Sequence, residues 1–569
     1  MNNLTQPLLV VSLAVILPLG ACSKQPGTAP DPGAVRMQAE TELSSGESRT
    51  RAAAAPAEAI LAAEAPLSPK LVAEKRAPVA GMSVNSMAYP AGIPAPEREN
   101  YAGFEDNPVR RVSEHPVSTF SVDVDTSSYS NVRRILNQGR LPDSAAVRVE
   151  EMINYFDYAW SGKRLGESPF MVSTEVGPSP WNPHTRLLQI GLVAEEFPAV
   201  EMPAANLVFL LDVSGSMRGK DKLGLLKLSL TMLSRQMRPD DRVSIVVYAG
   251  ASGVVLEPVA GDQRFKIEQA LQSLQAGGST NGGAGIRLAY NLARQAYIDG
   301  GINRIILATD GDFNVGTTNF DSLIDLVKRE RESGISLTTL GFGSGNYNDH
   351  LMEQLADSGN GNHAYIDTLN EARKVLVDEL RATLNTVAKD VKIQIEFNPA
   401  EVSEYRLIGY ENRMLKREDF NNDQVDAGEV GAGHSVTALY EFSPAGAAGQ
   451  SVDPLRYGAE ATASDRAGKS GEMAFLRIRY KAPGGDISQL ETLPVQSTGE
   501  IPMAETSDAY RFASAVAAFG QKLRGGERLR QMAWPDILEL ARGARGEDRF
   551  GYRAEFMQLA RLAQGFETH

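Results

Sequence analysis

The chain has 569 residues, too many for one ordinary core, and 42% hydrophobic against 22% charged residues excludes a chain disordered throughout. A net charge of −14 without a basic patch excludes a nucleic-acid binder, and one cysteine excludes an internal disulfide or a cysteine-based zinc site. The six histidines are scattered, with no HExxH pair and no G-x-S-x-G, so no hydrolase is expected and no catalytic residue is assigned.

Residues 8–19, LLVVSLAVILPL, form an apolar run too short to span a bilayer. The run ends in Leu19-Gly20-Ala21-Cys22, and small residues before a cut site fit a signal peptide over 1–21. This L-G-A-C ending resembles a bacterial lipobox, although MNNLTQP ahead of it carries no Lys or Arg. The resemblance implies cleavage before Cys22 and a lipid on its thiol and new amino group, hence a membrane anchor in the cell envelope. Ser23, in place of Asp, implies the outer membrane rather than the inner. Residues 22–99 are rich in Ala, Pro, Glu and Ser and lack core-forming stretches, so they read as a disordered tether.

Residues 100–165 read as a small α/β unit. STFSVDVD alternates like a strand, Thr126, Ser127 and Ser128 are possible helix caps, and SNVRRILNQG and AAVRVEEMINYF have helical spacing. FMVSTEVGPSPWNPHTRLLQIGLVA, within 166–203, reads as two strands with a turn at Gly177–Pro183. Two strands are too few for a sheet, so they are expected to join a downstream β region. Over 204–386 buried strands (NLVFLLD, RVSIVVYAG, NRIILATD, SLTTLGFG) alternate with amphipathic helices. That pattern means a doubly wound, mostly parallel α/β sheet. Over 387–505 the period returns to two in VKIQIEF, YRLIGYE, VTALYEF and MAFLRIRYK, an antiparallel β-rich domain. Residues 506–569 read as helices. The 204–386 domain is therefore expected as an insertion in a β sandwich.

The first α/β strand ends LLDVSGS, which brings Asp212, Ser214 and Ser216 to the carboxyl end of a buried strand, where sites form in open α/β sheets. A second strand delivers Asp310 in ATDG to the same edge, and between them the loop AGGSTNGG presents Thr280. Two carboxylates and three hydroxyls, without His or Cys, suit Mg2+ or Mn2+, and Ca2+ less well. D-V-S-G-S, Thr280 and T-D-G in this order resemble the metal-ion-dependent adhesion site (MIDAS) of von Willebrand factor type A domains. The resemblance implies Ser214 and Ser216 as direct metal ligands, Thr280 as a direct or water-mediated one, and Asp212 and Asp310 acting mostly through water. It also implies a vacant coordination position that accepts a carboxylate from a protein partner. SVDVDTSSYSNVRR, VEEMINYFDY and RLIGYENRMLKREDF further resemble YfbK-type von Willebrand A lipoproteins over residues 100–569.

Three other patterns are weaker. Gly215-Ser216-Met217-Arg218-Gly219-Lys220 mimics a phosphate loop but is one residue short, with Asp221 where Ser or Thr belongs, so no nucleotide is expected. Asp123 and Asp125 read as helix caps rather than metal ligands. Asp419, Asn421, Asp423 and Asp426 fall short of a calcium loop, with Gln424 for its Gly and Val430 for its last acid, and read as a polar turn. Two functions follow: a metal-dependent module that engages an Asp or Glu on a partner protein, or a structural envelope factor whose metal site only stabilises.

Overall fold

The computed structural model describes residues 99–196, 202–311, 320–448, 450–453, 455, 471–497, 499, 501–529 and 532–567. Cys22, the signal peptide and the tether lie outside the described residues. Among the described residues no helix is long and apolar enough to cross a membrane.

The chain opens with β1 (Arg110–Arg111), β2 (Val117–Ser121), α1 (Ser127–Asn137), α2 (Val149–Asn154), β3 (Lys163–Arg164), β4 (Phe170–Pro178) and β5 (Arg186–Ala194). An α/β domain follows: β6 (Ala205–Asp212), α3 (Leu225–Ser234), β7 (Arg242–Tyr248), β8 (Ser252–Ala260), α4 (Arg264–Ser273), α5 (Gly282–Gln295), β9 (Ile302–Thr309), α6 (Phe320–Glu332), β10 (Ile335–Phe342), α7 (Asp349–Ser358), β11 (His363–Ile366), α8 (Leu369–Arg373) and α9 (Leu380–Leu384). The chain then returns to strands β12 (Thr386–Phe397), β13 (Val402–Ile408), β14 (Gly428–Gly431), β15 (Ser435–Pro444), β16 (Glu472–Lys481) and β17 (Ser488–Gln496). It ends in α10 (Asp508–Leu523), α11 (Trp534–Gly543) and α12 (Tyr552–Glu567).

The α/β sheet has the order β11-β10-β9-β6-β7-β8, parallel except for β8, which runs antiparallel to β7. Period-two alternation in NLVFLLD splits its apolar residues between the two faces. Leu207, Phe209 and Leu211 meet Leu226 and Leu230 of α3, whereas Val208 and Leu210 meet Ile286 and Tyr290 of α5. Both faces are covered, so every residue of β6 is buried.

The strands before and after this domain form a two-sheet sandwich. One sheet runs β1-β13-β15-β5-β4-β3, antiparallel throughout. The other runs β14-β12-β16-β17, with β2 also pairing β12. Phe120, Leu188, Ile190, Ile393, Ile395, Leu407, Tyr440 and Leu476 share the core between them. On β5 the alternate face is apolar too. Leu187, with Ile408 and Leu439, packs under a helical layer built from α1, α2, α10, α11 and α12.

Residues 100–165 therefore close no core of their own. β2 completes a sheet that begins again at Thr386, and the two helices share their interior with the C-terminal ones, where Phe156 meets Tyr129, Tyr155, Phe512 and Phe556 edge to face.

Candidate functional site

Parallel pairing of β6 with β9 sets Leu211 beside Ala308, so the residues that follow each strand emerge side by side. Asp212 is fully buried; its Oδ1 accepts the backbone N–H of Ser214 at 2.8 Å, and its Oδ2 accepts the Thr309 hydroxyl at 2.8 Å. The first bond bends the chain out of the sheet, and the second ties the two strand ends together. Ser214 Oγ then lies 2.9 Å from Ser216 Oγ, and Ser216 Oγ donates to Asp310 Oδ1 at 3.2 Å. The Gly-rich loop is clipped to this turn through its backbone. Gly277 N donates to Val213 O at 2.8 Å and Gly215 N to Gly278 O at 3.0 Å, which brings half-buried Thr280 to the same edge, just ahead of α5. Gly311 follows Asp310 at φ +89°, and a Cβ there would stand 2.3 Å from Asn348 N, so both conformation and space demand glycine in T-D-G.

Asp212, Ser214, Ser216 and Asp310 thus form one hydrogen-bonded chain, with the Thr280 loop docked against it. Burial pushes the Asp212 carboxyl up to about 6; the Asp310 charge adds to the rise, and the Ser214 amide and Thr309 hydroxyl oppose it. One participant has no signal in the sequence. Lys222 Nζ donates to Asp310 Oδ2 and to Asn346 Oδ1, both at 2.9 Å. Its neighbourhood is visible only once β10 brings the 343–348 loop to β9.

A second acidic region lies where α7 meets the sandwich. Arg148 donates to Glu151, to Asp349 Oδ2 at 2.6 Å and to Glu353 Oε2 at 3.0 Å. Arg413 reaches Asp357 Oδ2 at 2.8 Å, Asp123 Oδ2 at 3.2 Å, Glu353 Oε1 at 3.4 Å and Asp125 Oδ2 at 3.6 Å. The cap reading of Asp123 and Asp125 is corrected by these contacts. Asp123 Oδ1 accepts the Asp125 amide, Asp125 Oδ1 accepts the His363 amide, and Thr126 makes no side-chain cap. The cap comes from Glu151 of the following helix, α2, whose Oε2 accepts Ser128 N at 2.8 Å and Ser127 Oγ at 2.9 Å. The polar turn after residue 417 is tied by protein groups: Ser488 Oγ donates to Asp423 Oδ1 at 2.6 Å, Arg479 to Asn421 at 3.0 Å and Arg331 to Asp426 Oδ2 at 2.5 Å. Among the described residues no group of three or more His, Cys, Asp or Glu is placed to hold a metal ion. An edge built of two carboxylates and hydroxyls falls outside that description.

Known proteins add the family. Residues 206–379 match the von Willebrand factor type A domain, residues 95–189 a model described as von Willebrand factor, and residues 382–566 the C-terminal part of the uncharacterized protein YfbK. The uncharacterized protein YfbK of Escherichia coli (strain K12) is 50% identical over 479 residues, covering 83% of this chain and 82% of that protein. The chain belongs to the YfbK-like family of bacterial von Willebrand factor type A proteins. Inter-alpha-trypsin inhibitor heavy chain H4 of Homo sapiens is 27% identical over 204 residues, 34% of this chain and 22% of that one. A solved von Willebrand factor type A protein from Catenulispora acidiphila is 14% identical at a TM-score of 0.37, covering 68% of this chain and 91% of that chain. In this YfbK-like chain, as the type A domain indicates, the α/β domain is a protein-interaction module.

Proposed function

We propose that the edge formed by Asp212, Ser214, Ser216, Thr280 and Asp310 binds one divalent cation, Mg2+ or Mn2+, and uses it to engage a carboxylate of a partner protein. The observation that carries this reading is the spacing of the oxygens. Neighbouring ligands of octahedral Mg2+, each about 2.1 Å from the ion, lie about 3.0 Å apart. The oxygens of Ser214 and Ser216, the two hydroxyls expected as direct ligands, are 2.9 Å apart. Ca2+, at about 2.4 Å and with more ligands, asks for a wider and more acidic cage. Neutral hydroxyls near the ion leave it electron-poor, so it would hold an incoming carboxylate firmly. The Asp212 carboxyl supplies charge from behind and orients the turn through the Ser214 amide.

Two further parts of the reading rest on sequence. The L-G-A-C ending supports an anchor at Cys22 and an envelope location, with Ser23 favouring the outer membrane. The backbone clips at Gly277 and Gly215 hold the loops without any ion, which favours a binding use of the metal over a structural one.

The test uses the full chain in detergent. Calorimetry should show one Mg2+ or Mn2+ site in the wild type, and the Ser214→Ala/Ser216→Ala variant should lose it while keeping its circular dichroism. With Mn2+ bound, the water-proton relaxation enhancement should fall when a glutamate-containing peptide is added, because its carboxylate replaces a water. Equal Mn2+ affinity in the variant would place the metal elsewhere. An enhancement indifferent to the peptide would leave a metal site without a partner role.

A further inference from the structure

The edge already contains a cation of its own. Lys222 Nζ lies 2.9 Å from Asp310 Oδ2 and 2.9 Å from Asn346 Oδ1, while the other oxygen of Asp310 accepts the Ser216 hydroxyl. One carboxylate is thus shared between the proposed ligand set and a lysine. The pair is not a loose surface contact: the Lys222 side chain is 12% exposed and that of Asp310 is fully buried.

The route of the lysine is built into the fold at both ends. Lys222 departs from helical geometry, with φ −114° and ψ −110°, inside the turn Lys220–Gly224 that precedes α3. This kink turns its side chain away from the α3 axis and toward β10. There it crosses Gly343, where a Cβ would stand 2.3 Å from Lys222 Cγ, 2.5 Å from Cε and 2.8 Å from Cδ. Gly343 has φ +73°, so conformation and space both reserve this position for glycine and leave a channel for the alkyl chain.

Resting on the metal reading above, we propose that Lys222 is a tethered counter-cation of the edge. It neutralises Asp310 and holds the 343–348 loop while no metal is bound, and a divalent ion must displace its ammonium to bind. The physical reason is like-charge repulsion. An ammonium and a divalent ion sharing one carboxylate stand only a few ångströms apart in a partly buried site, where screening is weak. Lys222 therefore weakens metal affinity and sets the ion concentration at which the module becomes competent. In exchange, the metal-free edge is spared a buried, uncompensated carboxylate.

Lys222→Met keeps the alkyl chain and removes the charge. The full chain carrying it should bind Mg2+ about tenfold more tightly by calorimetry, the low end of what groups behind metal ligands typically carry. Its Tm in EDTA should fall below that of the wild type, and saturating Mg2+ should close the gap. Asn346→Ala, which removes only the neutral partner, should tighten binding by a smaller factor and serves if Lys222→Met fails to fold. Equal or weaker Mg2+ affinity in the variants, with the wild type still binding one ion, would overturn the role of Lys222 and leave the metal reading standing. Absence of Mg2+ binding in wild type and variants alike would overturn both.

Discussion

The sheet edge around Asp212 and the interface around Arg148 both bury carboxylates, and they neutralise them by different means. At the interface, Glu151, Asp349 and Glu353 surround one guanidinium, and Asp123, Asp125 and Asp357 lean on a second, that of Arg413. Planar forks with five donors satisfy these acids and leave little for an outside ion. At the edge, Asp212 accepts from an amide and a hydroxyl, and Asp310 from a hydroxyl and the Lys222 ammonium. Richness in acid is thus a poor guide to a metal site. The region with more carboxylates cements the α/β domain to the sandwich, and the region proposed above to bind a cation has fewer.

Three changes probe that contrast, from the largest expected effect on stability to the smallest. Arg148→Met leaves Glu151, Asp349 and Glu353 buried without their shared partner. It should cost about 3–5 kcal/mol, read as a large drop in Tm that Mg2+ does not restore. Recovery by Mg2+ would mean that the interface too can take an ion.

Glu150 tests the border of the interface. Its Oε2 has no hydrogen-bond partner among the described residues, and burial pushes its carboxyl up to about 8, aided by the charges of Glu411, Asp123 and Glu151. The folded state therefore keeps a proton that the unfolded chain releases near 4.5, so stability should be lost as pH rises from there to about 8. Glu150→Gln, which stays neutral at every pH, should flatten this decline, so that its Tm relative to the wild type rises between pH 5 and 8. A Tm profile of the variant parallel to that of the wild type from pH 5 to 8 would contradict it.

Thr280→Ala marks the other extreme. The loop is held by backbone bonds at Gly277 and Gly278, so stability should change by no more than about 0.5 kcal/mol. Metal affinity should nevertheless fall, and a Tm loss with unchanged affinity would assign Thr280 to structure.

Much of this arrangement is legible in the sequence because it is local or periodic. NLVFLLD and NRIILATD announce buried parallel strands, and D-V-S-G-S and T-D-G stand at their ends in order. What escapes is decided by partners far along the chain. β17, SQLETLPVQ, is an edge strand with only Val495 fully buried, so it lacks the alternation that marks β16 beside it. Glu151 caps a helix that Thr126 heads in sequence, because α2 folds back over the start of α1. Lys222 sits in KDKLG, which reads as the tail of a failed phosphate loop; its meaning depends on Gly343 and Asn346 across the sheet. The helices of residues 127–154 read as a unit because nothing in them announces the C-terminal helices that complete their core.

Placing the α/β domain between β5 and β12 has a consequence for the order in which the chain can fold. β6 finds both its neighbours, β7 and β9, within residues 205–309, so that sheet can assemble as soon as its own strands exist. The host cannot: Val193 waits for Ser435, Phe120 for Ile393, and Tyr129 and Phe156 for Phe512 and Phe556. At about 5–20 residues per second of synthesis, β5, apolar on both faces, waits for its partner β15 for roughly 10–50 s. Over that interval the guest domain is the first fold to mature and the host is the aggregation-prone one, although the host's first strands were made earlier.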